Sequence, residues 1–335
     1  MLFKWWGAAV MSMYFAGVDL GATNTHVAVA DDEGEIVGED VRPTPRGPTG
    51  IAVTEEILDA LRTAAGRAGV APESIAAAGI GSIGPLDLAE GTIEDPANLP
   101  DNIGTIPLTG PIGNLIDSDE VHLHNDTNAG VIGERFFSDR NPDDMVYLTI
   151  SSGIGAGVCV DGNVLDGWDG NAGEVGHMML DPMGHLTCGC GSDGHWEAYC
   201  SGNNIPKYAK FLHEDDPIET DVPLDDPDFS AADVFEHAGS DEFADHVVDQ
   251  VAHWNAMGVT NVVHAYAPIV IYVGGAVAIN NPELTLEPIR ERLDDMVFTN
   301  IPDVTLTTLG DDVVVKGAVA SAMTGGTGDR RRLRT

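Results

Sequence analysis

Lysine is almost missing from this chain: Lys4, Lys207, Lys210 and Lys316 are all there are in 335 residues. Only 16 basic side chains stand against 54 acidic ones, a formal charge of -38 at pH 7. A surface that negative repels a phosphate backbone, which argues against nucleic acid as a partner. It also repels itself in dilute buffer. In molar salt the Debye length falls to about 3 Å and that repulsion is screened, so the composition points to a halophilic cytoplasm and a cytoplasmic protein. The four cysteines are too few for a disulfide framework, and Cys159 and Cys200 read as packed free thiols. The apolar run near the N-terminus is too short to span a membrane. It has a single Lys and no clear cleavage site, and it continues into the first strand. It therefore reads as a leader extension, with translation starting at Met11 or Met13; no membrane partner is expected.

What is present is a globular chain, 43% hydrophobic, long enough for two domains with real cores. Its densest chemistry runs from Gly173 to Glu197, G-E-V-G-H-M-M-L-D-P-M-G-H-L-T-C-G-C-G-S-D-G-H-W-E. His177, Cys188, Cys190 and His195 read as four zinc ligands, since two thiolates and two imidazoles satisfy a tetrahedral ion. The C-x-C spacing is tighter than usual, and a loop with two free thiols and scattered histidines is the alternative. A zinc hydrolase is excluded on chemistry, because four protein ligands leave no position for water.

The rest of the chain reads as strands and helices around glycine turns. Tyr14 to Leu20 is an apolar strand ending in D-L-G-A-T-N-T, followed by a returning strand, His26 to Ala30. Backbone N–H groups and hydroxyls of such a turn suit phosphate, and Asp19 at the strand end could hold Mg²⁺ through water. Gly50 to Gly69 has helical periodicity, with Thr49 as cap, and Ala76 to Ile80 is a strand leading into G-S-I-G-P-L. Val121 to His124 is a strand ending in Asn125-Asp126, with a helix to Phe137. Asp126 at that junction fits either a helix cap or a group facing a ligand. Met145 to Ile150, S-S-G-I-G-A-G and Val158 to Val160 repeat the first strand–turn–strand about 130 residues later, which predicts two related halves with a phosphate hairpin from each facing a cleft. A long helix, Asp241 to Tyr266, precedes a strand, Ile269 to Val273, that ends in Gly274-Gly275-Ala276, beside which a nucleotide base could lie.

D-L-G-A-T-N-T, N-D-T-N-A-G, S-S-G-I-G-A-G-V, G-E-V-G-H, C-G-C-G-S-D-G-H-W-E-A-Y-C-S-G and V-G-G-A occur in the order and spacing of the ROK family, and residues 13–325 resemble it. The resemblance is to its sugar kinases, most of all to a glucokinase branch of haloarchaeal type. It implies an α/β chain with the duplicated actin-like ATPase (ribonuclease H-like) fold, two domains around a central cleft. The expected division is an N-terminal extension, 1–12; a small domain, 13–125 with the helix 311–325; a large domain, 126–310, containing the zinc loop 177–195; and a disordered basic tail, 326–335. About a dozen residues precede the first strand, so the helix-turn-helix of the family's repressors is not expected.

The implied reaction is phosphorylation of a hexose at its 6-hydroxyl by ATP with Mg²⁺, glucose first; fructose, mannose or an N-acetylhexosamine is the alternative, and a non-catalytic sugar sensor the alternative of another class. The resemblance makes Asp126 the general base. Asn125, Glu174, His177 and Glu197 match sugar-contacting positions, with Gly84 and Asn98 added by loop position. Asp19, Gly21, Thr23 and Asn24 resemble the first phosphate loop; Ser152, Gly153, Gly155 and Gly157 the second; Gly274 and Gly275 the adenosine-side loop. His195 stands where the family usually has a third cysteine ligand, and His185 is a competitor for that place. Zinc would be structural. A homodimer or a dimer of dimers is implied by the resemblance alone.

Overall fold

The computed structural model describes residues 13–96, 99–100, 103–168 and 170–333. The first half runs β1 (Tyr14–Leu20), β2 (Asn24–Ala30), β3 (Ile36–Pro43), α1 (Gly50–Ala68), β4 (Ile75–Ser82), the short strands β5 (Leu86–Asp87), β6 (Thr92–Ile93) and β7 (Ile106–Pro107), then α2 (Thr109–Ile116) and β8 (Val121–Asn125). The second runs α3 (Asp126–Phe137), β9 (Met145–Ile150), β10 (Ile154–Val160), β11 (Asn163–Val164), α4 (Glu197–Cys200), α5 (Ile205–Asp215), α6 (Ala231–His237), α7 (Glu242–Tyr266), β12 (Val270–Gly274), α8 (Ala276–Asn280), α9 (Pro282–Met296), β13 (Asp303–Leu306) and α10 (Val313–Thr324).

Two sheets repeat one topology. The first has the order β3-β2-β1-β4-β8 and the second β11-β10-β9-β12-β13. In each, three antiparallel strands are extended by two parallel ones. The central strands read as apolar runs because both faces of each sheet are covered. On the first sheet, Val18, Leu20 and Val27 meet Val53, Ile57 and Leu61 of α1. On its other face Phe15, Ala28 and Ala77 meet Val315, Val319 and Met323 of α10. On the second sheet, Val146, Leu148 and Ile150 join the core with Val247, Val251 and Val259 of α7. Its other face, Met145, Tyr147 and Val270, packs with Val131 of α3 and Val313 of α10. Helices α3 and α10 thus lie between the sheets. They cross with their backbones in contact: a Cβ on Gly317 would sit 1.8 Å from the Ala129 carbonyl oxygen, so no larger residue fits there.

Some expectations change in detail. Thr49 occupies the cap position of α1, but its side chain makes no capping bond; the Gly50 amide is instead satisfied by the Ile103 carbonyl at 2.7 Å. Strand β3 has no counterpart in the sequence reading because its alternation is inverted. Val37 and Val41 face solvent while Gly38 and Asp40 are buried, and Asp40 is paired with Arg42 and Arg67. Described residues of the expected tail, 326–333, make ion pairs and backbone contacts with the rest of the chain. Asp329 is buried and accepts from Arg331 Nε at 2.8 Å, and the buried Arg135 of α3 donates to the Thr327 carbonyl at 2.9 Å. The arginines find carboxylates to pair with. The expected leader, 1–12, lies outside the described residues.

Candidate active site

Asp126 is placed by its neighbour. Asn125 is the cap of α3: its side chain accepts from the Thr127 amide at 2.9 Å and from the Thr127 hydroxyl at 2.8 Å. Asp126 is therefore the first helical residue, and its carboxylate also accepts from the Thr127 amide, at 2.7 Å. It lies in a cleft of about 590 Å³ between the two halves. Burial raises its pKa to about 6, against the Thr127 hydrogen bond and with the charge of Glu174 adding to the rise. Asp19, at the end of β1, is pushed up to about 7 by burial and by the charge of Asp126. The charge of Asp126 thus disfavours ionisation of Asp19, although Asp19 is not among the residues that line the cleft.

The cleft gathers Gly84, Asn125, Asp126, Ser152, Gly153, Gly155, Glu174, His177 and Glu197 from the expected set. Glu197 heads α4, which the fully buried Trp196 fixes by donating to Asn255 of α7 at 2.9 Å. The Glu197 carboxylate accepts from the Ile154 amide at 2.9 Å. A Cβ on Gly153 would fall 2.8 Å from that carboxylate, so the glycine makes room for it. Glu174 stands 3.7 Å from His177 Nε2. Burial raises the Glu174 carboxyl, His177 opposes the rise and Glu197 adds to it.

The other expected residues are outside that lining. Gly21 and Asn24 close the β1–β2 turn with a 3.0 Å backbone bond, and the Thr23 carbonyl accepts from the Thr44 amide at 2.9 Å. Gly157 lies beneath α3, where a Cβ would meet the Thr127 carbonyl at 2.0 Å; its contact is with the helix. Gly274 ends β12 against the Tyr147 hydroxyl, and Gly275, with φ of 86°, turns the chain into α8. Asn98 lies outside the described residues.

Seven lining residues were not anticipated: Ile83, Pro85, Thr127, Thr149, Ser151, Ile154 and Asn171. All but Asn171 adjoin or lie within a stretch already noted, but the motif alone does not say which side chain faces the cleft.

His177, Cys188, Cys190 and His195 converge, with one ligand atom from each within 4.8 Å of all the others. Cys188 Sγ is 3.7 Å from His177 Nδ1, and Cys190 Sγ is 3.3 Å from His195 Nδ1. His177 thus turns one ring nitrogen to this cluster and the other toward Glu174. His185 is not among the converging residues, and its Nδ1 is held by Asp181 at 2.7 Å. Asp181 is the organiser that the sequence reading missed. It accepts from the amides of Met183 and His185, each at 2.9 Å, and from the Tyr199 hydroxyl at 2.6 Å. Burial would raise this carboxyl, yet those bonds hold it well below the usual range.

A duplicated sheet, a glycine hairpin from each half and half-buried Asp19 and Asp126 near the strand ends define the actin-like ATPase class of fold. Residues 15–324 match the ROK family, and the chain belongs to it. It is 35% identical over 316 residues to a glucokinase of Aeropyrum pernix, covering 91% of this chain and 95% of that one. The structure resembles a ROK hexokinase of Thermus thermophilus, at 31% identity and a TM-score of 0.75, covering 92% of this chain and 98% of that one. It also resembles a ROK family glucokinase of Streptomyces griseus in complex with glucose and AMPPNP, at 29% identity and a TM-score of 0.71, over 92% and 99% of the two chains.

Proposed function

We propose that the chain phosphorylates glucose at the 6-hydroxyl with ATP, and that Asp126 is the general base. The observation that carries this reading is the cleft itself, where a carboxylate with a pKa near 6 lies among Glu174, His177 and Glu197 and beside the 151–155 hairpin. Hydroxyls of a sugar both donate and accept, which carboxylates, an imidazole and the Asn125 amide can match. With the sugar seated there, Asp126 accepts the 6-hydroxyl proton as that oxygen attacks the γ-phosphorus and ADP departs. Such a base contributes about 10²–10⁴-fold; positioning and electrostatics supply most of the rest in phosphoryl transfer.

Asp19, Gly21, Thr23 and Asn24 serve the phosphates from the first half, Ser152, Gly153 and Gly155 from the second, and Gly274 and Gly275 border the adenosine. Asp19 would hold Mg²⁺ through water, an ion that neutralises phosphate charge when bound. The donor set of two sulfurs and two imidazole nitrogens fits zinc, so His177, Cys188, Cys190 and His195 would hold a structural ion. A bound ring orients its second nitrogen, and for His177 that nitrogen faces the Glu174 side of the cleft. The acidic composition fits a cytoplasm rich in salt, and no helix among the described residues is long and apolar enough to cross a membrane.

The test is ADP release from ATP and Mg²⁺ in molar KCl across glucose, fructose, mannose and N-acetylhexosamines. Turnover with glucose well above the others is expected. Folded protein that binds hexoses without turning any over would instead be a sensor.

A further inference from the structure

Asn128 is the third residue of α3, two after Asp126, and it is buried at 1% exposure. Its Nδ2 donates to Asp166 Oδ1 at 3.0 Å and, weakly, to the Leu165 carbonyl at 3.5 Å. Its Oδ1 is buried with no donor among the described residues. An unmet acceptor is a cost that an apolar side chain at 128 would avoid. Packing therefore gives no reason for an amide here; the contact with Asp166 does.

Asp166 opens the segment that ends at Glu174. Backbone bonds fix both ends of it on β10: the Leu165 amide to the Val158 carbonyl at 2.9 Å, and the Ala156 amide to the Gly173 carbonyl at 2.9 Å. Inside it, the Ala172 amide donates to the Asp166 carbonyl at 3.2 Å. Asn171 and Glu174, at its far end, line the same cleft as Asp126.

We infer that Asn128 and Asp166 are positioning residues, a clamp that holds Asn171 and Glu174 at a fixed distance from the base and so sets the affinity for the sugar. This rests on the kinase reading given above. Asp126 and Asn128 share the first turn of one rigid helix, so a hydrogen bond from Asn128 to the segment ties the base to Asn171 and Glu174. Losing the tie lets the sugar-side wall drift while the phosphate hairpins stay in place. A misplacement of about 1 Å is enough to matter in such a site.

The test uses Asn128→Ala, Asp166→Ala and the conservative Asp166→Asn, whose side-chain oxygen still accepts from Asn128. In the unliganded protein, hydrogen exchange of the peptide 165–174 is expected to quicken in both alanine variants and to stay as in wild type for Asp166→Asn. In kinetics, KM for glucose is expected to rise about ten-fold, the size of one lost charge-assisted bond, with KM for ATP unchanged and Asp166→Asn close to wild type. Unchanged exchange overturns the clamp. So does an equal rise in both KM values, or Asp166→Asn behaving like Asp166→Ala. Wild-type protein that turns over no hexose would refute the kinase reading, and the exchange result alone would then decide the clamp.

Discussion

Asp126 accepts a proton only as a carboxylate, and its pKa of about 6 places that requirement near neutrality. Below pH about 6 the carboxyl is protonated, so kcat/KM is expected to fall on the acid side as pH drops through that value. The charge of Glu174 contributes to the rise. Removing it in Glu174→Gln stabilises the ionised form of Asp126, and the acid limb should move to lower pH. A limb that stays in place, or moves upward, would show that the titrating group is not Asp126. At this scale the sequence left Asp126 balanced between a cap and a base. What separates the two is the Asn125 side chain, whose bond to the Thr127 amide at 2.9 Å fills the cap and leaves Asp126 in the cleft. Asp181 could not be recognised in advance for a similar reason. Its hydrogen bonds to His185 and Tyr199 depend on a loop path that one Asp-Pro pair does not specify.

The loop from His177 to His195 has little regular structure, one 3-10 turn at its start and two isolated bridges, and is held by turn-type backbone bonds and the Asp181 bonds. With so little regular structure, a metal that joins four of its side chains should contribute a large share of its order. Freshly purified protein is expected to contain about one zinc per chain, the stoichiometry of one closed four-ligand site. Its removal by a chelator should raise KM for the sugar more than KM for ATP, because His177 turns its second ring nitrogen to Glu174 in the cleft wall and none of the four ligands belongs to a phosphate hairpin. Metal-free protein with unchanged sugar affinity would contradict this. Among elements, those with buried faces were legible: β1, β9 and α7 have runs or periods of apolar residues that match their burial. The strand β3 was not, since its exposed valines and buried Asp40 reverse the usual alternation. The two-residue strands β5, β6 and β7 were also invisible, being too short to show a period.

For the molecule as a whole, the duplication could be read from the two hairpin motifs, and both sheets have the same strand order. The crossing of α3 and α10 could not, because it depends on Ala129 and Gly317 meeting across nearly 190 residues of chain. The charge of -38 belongs to this scale too. Raising KCl from tenths of molar to molar shortens the Debye length to about 3 Å and screens the self-repulsion of the fold. The melting temperature should therefore rise with KCl across that range; a flat or falling response would argue against a salt-adapted surface. The proposed reaction depends most on Asp126, and the most direct measurement compares wild type with Asp126→Asn, following glucose binding by calorimetry and glucose 6-phosphate formation with ATP. Binding within a few-fold of wild type, with turnover lower by about 10²–10⁴-fold, is the predicted result. Near-normal turnover in Asp126→Asn would contradict it and place the base elsewhere in the cleft.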